Sequence, residues 1–156
     1  MSRKPSLILG FVLALATLLT AFALLAEDGA VREATVNVPR ETQIPLDITY
    51  QGATFFAVES HNDPQAKDVK DAEAKDPKDK TFILLRFRYK NADYARHKVK
   101  LRAVLLTADD AVVSEGGRAG TLDPKQHEDT ISFPMKVKTL DWPKAAKLKI
   151  TATFLN

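Results

Sequence analysis

Apolar and polar residues alternate with a period of two along most of the chain beyond residue 34, the pattern of strands with one dry face and one wet face. Thr81 to Lys90 carries it most cleanly: Ile83, Leu85, Phe87 and Tyr89 share one side, and Arg86, Arg88 and Lys90 share the other. After the turn composition of Asn91-Ala92-Asp93, Lys98, Lys100 and Arg102 alternate with Val99, Leu101, Ala103 and Leu105. Thr130 to Lys138 sends Ile131, Phe133, Met135 and Val137 inward, and Lys147 to Phe154 does so with Leu148, Ile150, Ala152 and Phe154. Weaker alternation upstream covers Val36 and Val38, then Leu46, Ile48 and Tyr50, then Phe55-Phe56-Ala57-Val58. Pro39 and Pro45 cannot donate to a ladder, which places these first strands at a sheet edge or at a break between sheets. Asp109-Asp110 marks a reversal into a short Ala111-Val112-Val113 strand that Gly116-Gly117 is expected to end. The pattern predicts an all-β, antiparallel sandwich of about seven or eight strands, because parallel sheets need crossover helices that are missing here.

Two segments depart from this pattern. Residues 7–26 are a run without a charge, preceded by Arg3 and Lys4, the order that keeps an N-terminus cytoplasmic while the following segment enters the membrane. About 20 helical residues span a bilayer core, which argues for an N-terminal hydrophobic helix retained as an anchor. Ala21, Ala23 and Ala26 offer cleavage points for a signal peptide. A cleaved leader and an uncleaved anchor both stay open, and either places residue 27 onward in an extracytoplasmic space. The second departure is residues 61–80, a charged insertion between strands with Val69 as the only large apolar residue of its one helix-like turn, between Pro64 and Pro77. The expected organisation is a leader at 1–26, a linker at 27–33 and a sandwich domain at 34–156 that contains this insertion.

Composition removes several chemistries. The 156 residues include no cysteine, which excludes disulfides, thiolate metal sites, cysteine nucleophiles and a lipid-carrying cysteine. Of 23 basic residues, Arg3 and Lys4 precede the apolar run, leaving 21 against 20 acids beyond it. The exported part is nearly neutral, so an argument for an anionic partner must come from where the charges sit.

The segment Thr81-Phe82-Ile83-Leu84-Leu85-Arg86-Phe87-Arg88-Tyr89-Lys90-Asn91 resembles the strand ending in asparagine of bacterial extracytoplasmic immunoglobulin-like modules. Val99 to Asp110, Ala111-Val112-Val113, Thr121-Leu122-Asp123-Pro124 and Ile131-Ser132-Phe133 resemble the FxLYD-type order of strand, acidic turn, short strand, leucine-proline turn and phenylalanine strand. Gly52 to Ser60 followed by a polar insertion is similar to telokin-like domains attached to bacterial membrane anchors. The resemblance covers roughly residues 46 to 154. Departures are Thr107-Ala108-Asp109 in place of the aromatic-aspartate pair, Ala111 in place of the turn glycine, and Lys125 where glycine tends to follow proline. The resemblance implies an immunoglobulin-like sandwich for extracytoplasmic binding or spacing, and it brings no catalytic residues.

Candidate chemistry is sparse. Ser60-His61-Asn62-Asp63 holds the letters of a hydrolase triad, but chain neighbours cannot all converge on one reacting carbon. His61, His97 and His127 have no ligand spacing and are expected in solvated loops. The six acids Asp63, Asp68, Asp71, Glu73, Asp76 and Asp79 of the insertion are interrupted by Lys67, Lys70, Lys75, Lys78 and Lys80, which disfavours calcium. Neither a cofactor nor a metal is expected. Trp142 is expected to cover one end of the sandwich.

The basic strand faces carry the main functional expectation. Arg86, Arg88, Lys90, Lys98, Lys100 and Arg102 occupy outward register, as do Lys136, Lys138, Lys147 and Lys149. Strands sharing one sheet would merge them into a cationic platform that needs a counter-charge from the acidic insertion, an anionic lipid headgroup or an anionic polymer, although lysines also keep exposed strands from aggregating. Nucleic acid is not an expected partner, since the outward positions lack interleaved aromatic residues. The chain therefore reads as a non-catalytic binding or assembly module of the bacterial cell envelope, inner-membrane anchored, or periplasmic or secreted after cleavage. Recognition of an envelope protein by strand-edge pairing is the alternative, and an envelope hydrolase comes third.

Overall fold

The alternation resolves into eight strands in the computed structural model, which describes residues 29–62 and 80–155. They are β1 (Ala30–Asn37), β2 (Gln43–Tyr50), β3 (Ala53–Asn62), β4 (Lys80–Asn91), β5 (His97–Leu106), β6 (Val112–Leu122), β7 (Gln126–Lys138) and β8 (Lys147–Leu155). One 3-10 turn, Trp142–Lys144, precedes β8. Two four-stranded antiparallel sheets form, sheet A in the order β1-β8-β5-β6 and sheet B in the order β2-β3-β4-β7. The two inner faces enclose one core, making a β-sandwich. The leader at 1–26 and the helix-like turn at 64–77 lie outside the described residues.

The inward register follows from burial of alternate residues. On β4, Ile83, Leu85, Phe87 and Tyr89 are all buried, and on β8 Leu148, Ile150, Ala152 and Phe154 are buried to the same degree. Aromatic rings tie the layers together: Tyr50 of sheet B stacks on Phe154 of sheet A at 4.6 Å, and the Phe55 ring of sheet B lies 6.4 Å from that of the same Phe154. The run Phe55-Phe56-Ala57-Val58 fits two faces through a bulge. The register shifts between Phe55 and Ala57, so that Phe55 and Val58, three residues apart, both reach the core.

Several boundaries differ from expectation. β1 starts at Ala30, so the linker predicted at 27–33 is shorter, because backbone pairing with β8 continues past the last inward valine. β3 and β4 reach Asn62 and Lys80, taking the ends of the predicted 61–80 insertion into strands. Gly116 and Gly117 do not end a strand but lie within β6. Inward Gly116 and Gly120 let β6 lean over β7: a methyl at Gly120 would stand 2.7 Å from the Ile131 Cδ1.

The proline-marked early strands are edges, as their sequence implies: β1 ends sheet A and β2 ends sheet B. The other two edges close on each other. Ser114 donates to the Lys136 carbonyl at 2.7 Å and Arg118 to the Ser132 carbonyl at 3.0 Å, so β6 side chains satisfy the outer carbonyls of β7.

Between β4 and β5 the chain crosses from sheet B to sheet A, and Asn91 holds the crossing. Fully buried, its amide nitrogen donates to the carbonyls of Ala95 (2.9 Å), Leu122 (3.2 Å) and Asp123 (3.0 Å). Its oxygen accepts the Asp93 N–H at 3.0 Å. Asn91→Ala strands buried acceptors on two loops, and a loss of about 3 kcal/mol is expected in chemical denaturation with an unchanged m-value. A loss within experimental error would show that the crossing is held by other contacts.

Candidate binding surfaces

The six basic residues singled out from the sequence do not form one platform. Arg86, Arg88 and Lys90 lie on β4 and face outward from sheet B, whereas Lys98, Lys100 and Arg102 lie on β5 and face outward from sheet A. The two groups are on opposite sides of the sandwich. The alternation places each residue on a wet face, but the sheet crossing after Asn91 separates the faces. Lys136 and Lys138 join the β4 group through β7, and Lys147 and Lys149 join the β5 group through β8.

The arginines on both faces are neutralised within their own sheet. Arg86 meets Glu59 of β3 at 3.2 Å, and Glu59 also lies 3.4 Å from the His61 Nε2. Arg88 bonds to Glu128 and, at 2.6 Å, to Gln43, with its guanidinium 5.5 Å from the Phe56 ring centre. On sheet A, Arg102 meets Glu115 at 2.5 Å, Lys149 meets Glu33 at 3.3 Å and Lys147 meets Asp110 at 2.8 Å. The Lys149 hydrogen bond holds the Glu33 carboxyl below its ordinary value.

Lys90, Lys98 and Lys100 differ. Among the described residues, none has a carboxylate within ion-pairing distance. Lys98 and Lys100 are exposed, and their cross-strand neighbours are small or uncharged: Leu155 and Thr153 on β8, Thr121 and Ala119 on β6. A shallow groove of about 230 Å³ runs beside Lys98, floored by Val99, Gly120 and Thr121.

Both ends of the sandwich carry clefts. At the end where β1 starts, a cleft of about 370 Å³ is lined by Lys90, Asn91, Tyr94, Lys125 and His127. Three loops meet there. The Ala92 N–H donates to the Gly52 carbonyl and the Lys125 N–H to the Asp93 carbonyl, each at 3.0 Å, and Arg96 pairs with Asp123 at 2.9 Å. At the other end, a cleft of about 240 Å³ is lined by Arg40, Glu41, Ser60, His61 and Trp142. Trp142 packs against the core there, as expected, under an Arg40 guanidinium 4.6 Å from its ring centre. Arg40 also bonds the Ala145 carbonyl at 2.8 Å.

The histidines do not occupy the loops expected of them. His61 is in β3, His127 is in β7, and His97 opens β5, buried and 3.2 Å from Asp93. His61 pairs with Leu84 and His97 with Leu122, His97 in the same inward register as Val99, while His127 sits where the β4–β7 register shifts. Ser60 is buried and donates to the Pro39 carbonyl, so its hydroxyl is used structurally. Among the described residues, no three acid or histidine side chains gather where they could hold a metal ion, and no helix is long and apolar enough to cross a membrane. The acidic insertion from 63 to 79 lies outside the described residues.

No family model and no curated protein matches the chain. One solved structure, a β-glucuronidase from glycoside hydrolase family 2, overlaps 52% of this chain and 7% of its own, with 10% identity and a TM-score of 0.38. A likeness so partial carries no argument about fold or activity.

Asp93 provides a readout of the loop junction. The Tyr94 backbone N–H, aided by the Ala95 N–H and by His97, holds its carboxyl below the ordinary value, against a smaller opposing effect of burial. Because the folded form favours the ionised carboxylate, its contribution is complete above the ordinary carboxyl value and is lost as pH falls through the lowered one. Asp93→Asn should therefore lose less stability than the parent between about pH 5 and pH 2, measured by urea denaturation. A parallel acid decline in both proteins would contradict this.

Proposed function

We propose that the chain is an immunoglobulin-like, non-catalytic binding or assembly module of the bacterial cell envelope. It works on the extracytoplasmic side, placed there by residues 7–26, and meets an anionic surface through lysines that have no carboxylate partner among the described residues. The FxLYD-type and telokin-like resemblance supports the module reading, and the charge-free run behind Arg3 and Lys4 supports the address. The observation that carries the binding reading is the contrast on sheet A: Arg102, Lys147 and Lys149 have carboxylate partners, while Lys98 and Lys100 stand exposed among threonine, alanine and leucine. A lysine near an anionic bilayer contributes about 1 kcal/mol, so the pair supplies a weak, salt-sensitive contact of the kind that a tether makes effective.

Co-sedimentation of residues 27–156 with phosphatidylglycerol-containing vesicles should exceed that with phosphatidylcholine vesicles at low salt and fall at high salt. Replacing Lys98 and Lys100 together by Glu should weaken it about tenfold or more. Equal binding to both lipids would remove the electrostatic reading.

A second reading is favoured by the edges. β6 and β7 block each other, and β2 is interrupted by Pro45 and a register shift, but β1 runs eight residues in unbroken register with β8. Its other side is left for an envelope protein that adds a strand. A partner captured from envelope extract through this edge should be retained at high salt, whereas a lysine-mediated partner should be released.

A further inference from the structure

The tether and three loops meet at one end of the sandwich. Ala30 pairs with Phe154, Phe154 with Val99 and Val99 with Gly120, so β1 begins beside the end of β8, the start of β5 and the last turns of β6. Asn91 brings the end of β4 to the same place. The turn at Gln51 and Gly52, the loop from Ala92 to Arg96, and Asp123 to Lys125 therefore crown the end from which the chain leads back to residues 7–26. Only Glu27, Asp28 and Gly29 separate Ala26 from Ala30. Four Cα steps reach at most about 14 Å. A retained anchor thus keeps this end within reach of the headgroup layer, whereas the opposite end, with Trp142 and Lys80, has no such constraint.

The chemistry of this end suits that position. Tyr94 is the most exposed large hydrophobic side chain among the described residues, at 79%, and the Lys125 Nζ sits 4.3 Å from its ring centre. A ring with a polar tip beside a long cationic stem is the combination that settles at a membrane interface. Lys90 lines the same cleft as Tyr94, and Lys98 stands at the start of β5, just past the Ala92–Arg96 loop; both are exposed and have no carboxylate partner among the described residues, and Arg96 is already paired with Asp123. Glu27 and Asp28 in the tether have the opposite sign, which limits the electrostatic part and puts weight on Tyr94.

We propose that this end is a membrane seat: Tyr94 enters the headgroup layer, and Lys90, Lys98 and Lys125 take anionic phospholipid headgroups of the bilayer that holds residues 7–26. The seat rests on the anchored form of the function proposed above. It orients the sandwich end-on, with the β1 edge and both sheet faces standing upright from the surface and open to other partners.

The absence of native cysteine allows a direct test. The full chain, carrying Ala95→Cys beside Tyr94 or Val112→Cys at the far end, is labelled with a fluorophore. It is reconstituted in vesicles of equal parts phosphatidylcholine and phosphatidylglycerol containing nitroxide-headgroup lipid. Both positions are exposed, so neither substitution disturbs the core. Quenching is expected to be several times stronger at position 95 than at 112. It should fall when Tyr94→Ala is added, when Lys90, Lys98 and Lys125 are together changed to Gln, or when phosphatidylglycerol is omitted. Equal quenching at the two positions overturns the seat while leaving the anchor intact. The mass of the chain isolated from bacterial membranes distinguishes the other failure: a chain cut after the apolar run overturns the anchored reading, and the seat with it.

Discussion

A single buried amide ties together the two crossings between sheets at one end of the sandwich. After β4 the backbone could fold back within sheet B as a hairpin, and the polar turn Asn91-Ala92-Asp93 would serve that purpose equally well. It crosses to sheet A instead, where β5 pairs with β6 and β8, and Asn91 braces the crossing by donating to three carbonyls on two different loops and accepting the Asp93 N–H. A fully buried amide with its bonds satisfied costs little, and in this fold it meets the Leu122 and Asp123 carbonyls at the same place. The β6–β7 connection is fixed by the same residue. Both crossings between sheets at this end thus share one hydrogen-bond hub, and Tyr89 beside it, its hydroxyl pushed up to about 12 by burial, adds a bond to Asp129 at 3.1 Å.

The sandwich and its inward faces were legible because alternation is a local signal and burial obeys it. Ile83, Leu85, Phe87 and Tyr89 can be assigned to the core without knowing what lies opposite them. The pairing of strands was not legible. The partners of Asn91 lie 31 and 32 residues away, and nothing in the turn composition points to them. That missing information is what scattered the candidate site, since a face is defined by a sheet and a sheet by its pairing. The strand boundaries failed for a related reason: backbone ladders continue through Arg32 and Glu33, His61 and Gly117, where side chains no longer alternate.

Lysine and arginine, equivalent in a charge count, do different work here. Arg40, Arg86, Arg88, Arg96, Arg102 and Arg118 each reach a carbonyl, an amide or a carboxylate on another segment. The fork of the guanidinium can hold such partners in fixed geometry, whereas a lysine ammonium keeps its hydration at smaller cost by extending into water. Lys90, Lys98 and Lys100 follow the second course. Net charge is thus a poor guide to the surface: Arg86, Arg88, Arg96 and Arg102 take up one set of acids, Lys144, Lys147 and Lys149 take up another, and Lys90, Lys98 and Lys100 stand without a carboxylate partner among the described residues.

This division has a geometric consequence for the two readings of function. A strand edge and a lysine face compete for the same surface only if the sandwich lies flat on a membrane. Were sheet A pressed against the bilayer, Lys98 and Lys100 would be occupied, and β1, two strands away, would lie along the lipid with its edge obstructed. An upright sandwich frees the edge along its length while Lys98, near the foot of β5, still reaches the headgroups. In the anchored form proposed above, a tether of at most about 14 Å would join the foot of β1, so the end that carries Tyr94 and Lys125 would be the part of the molecule held near the bilayer. In that proposed form, anionic contact and edge pairing would be compatible uses of one orientation, the first fixing the end of the molecule and the second leaving its side available.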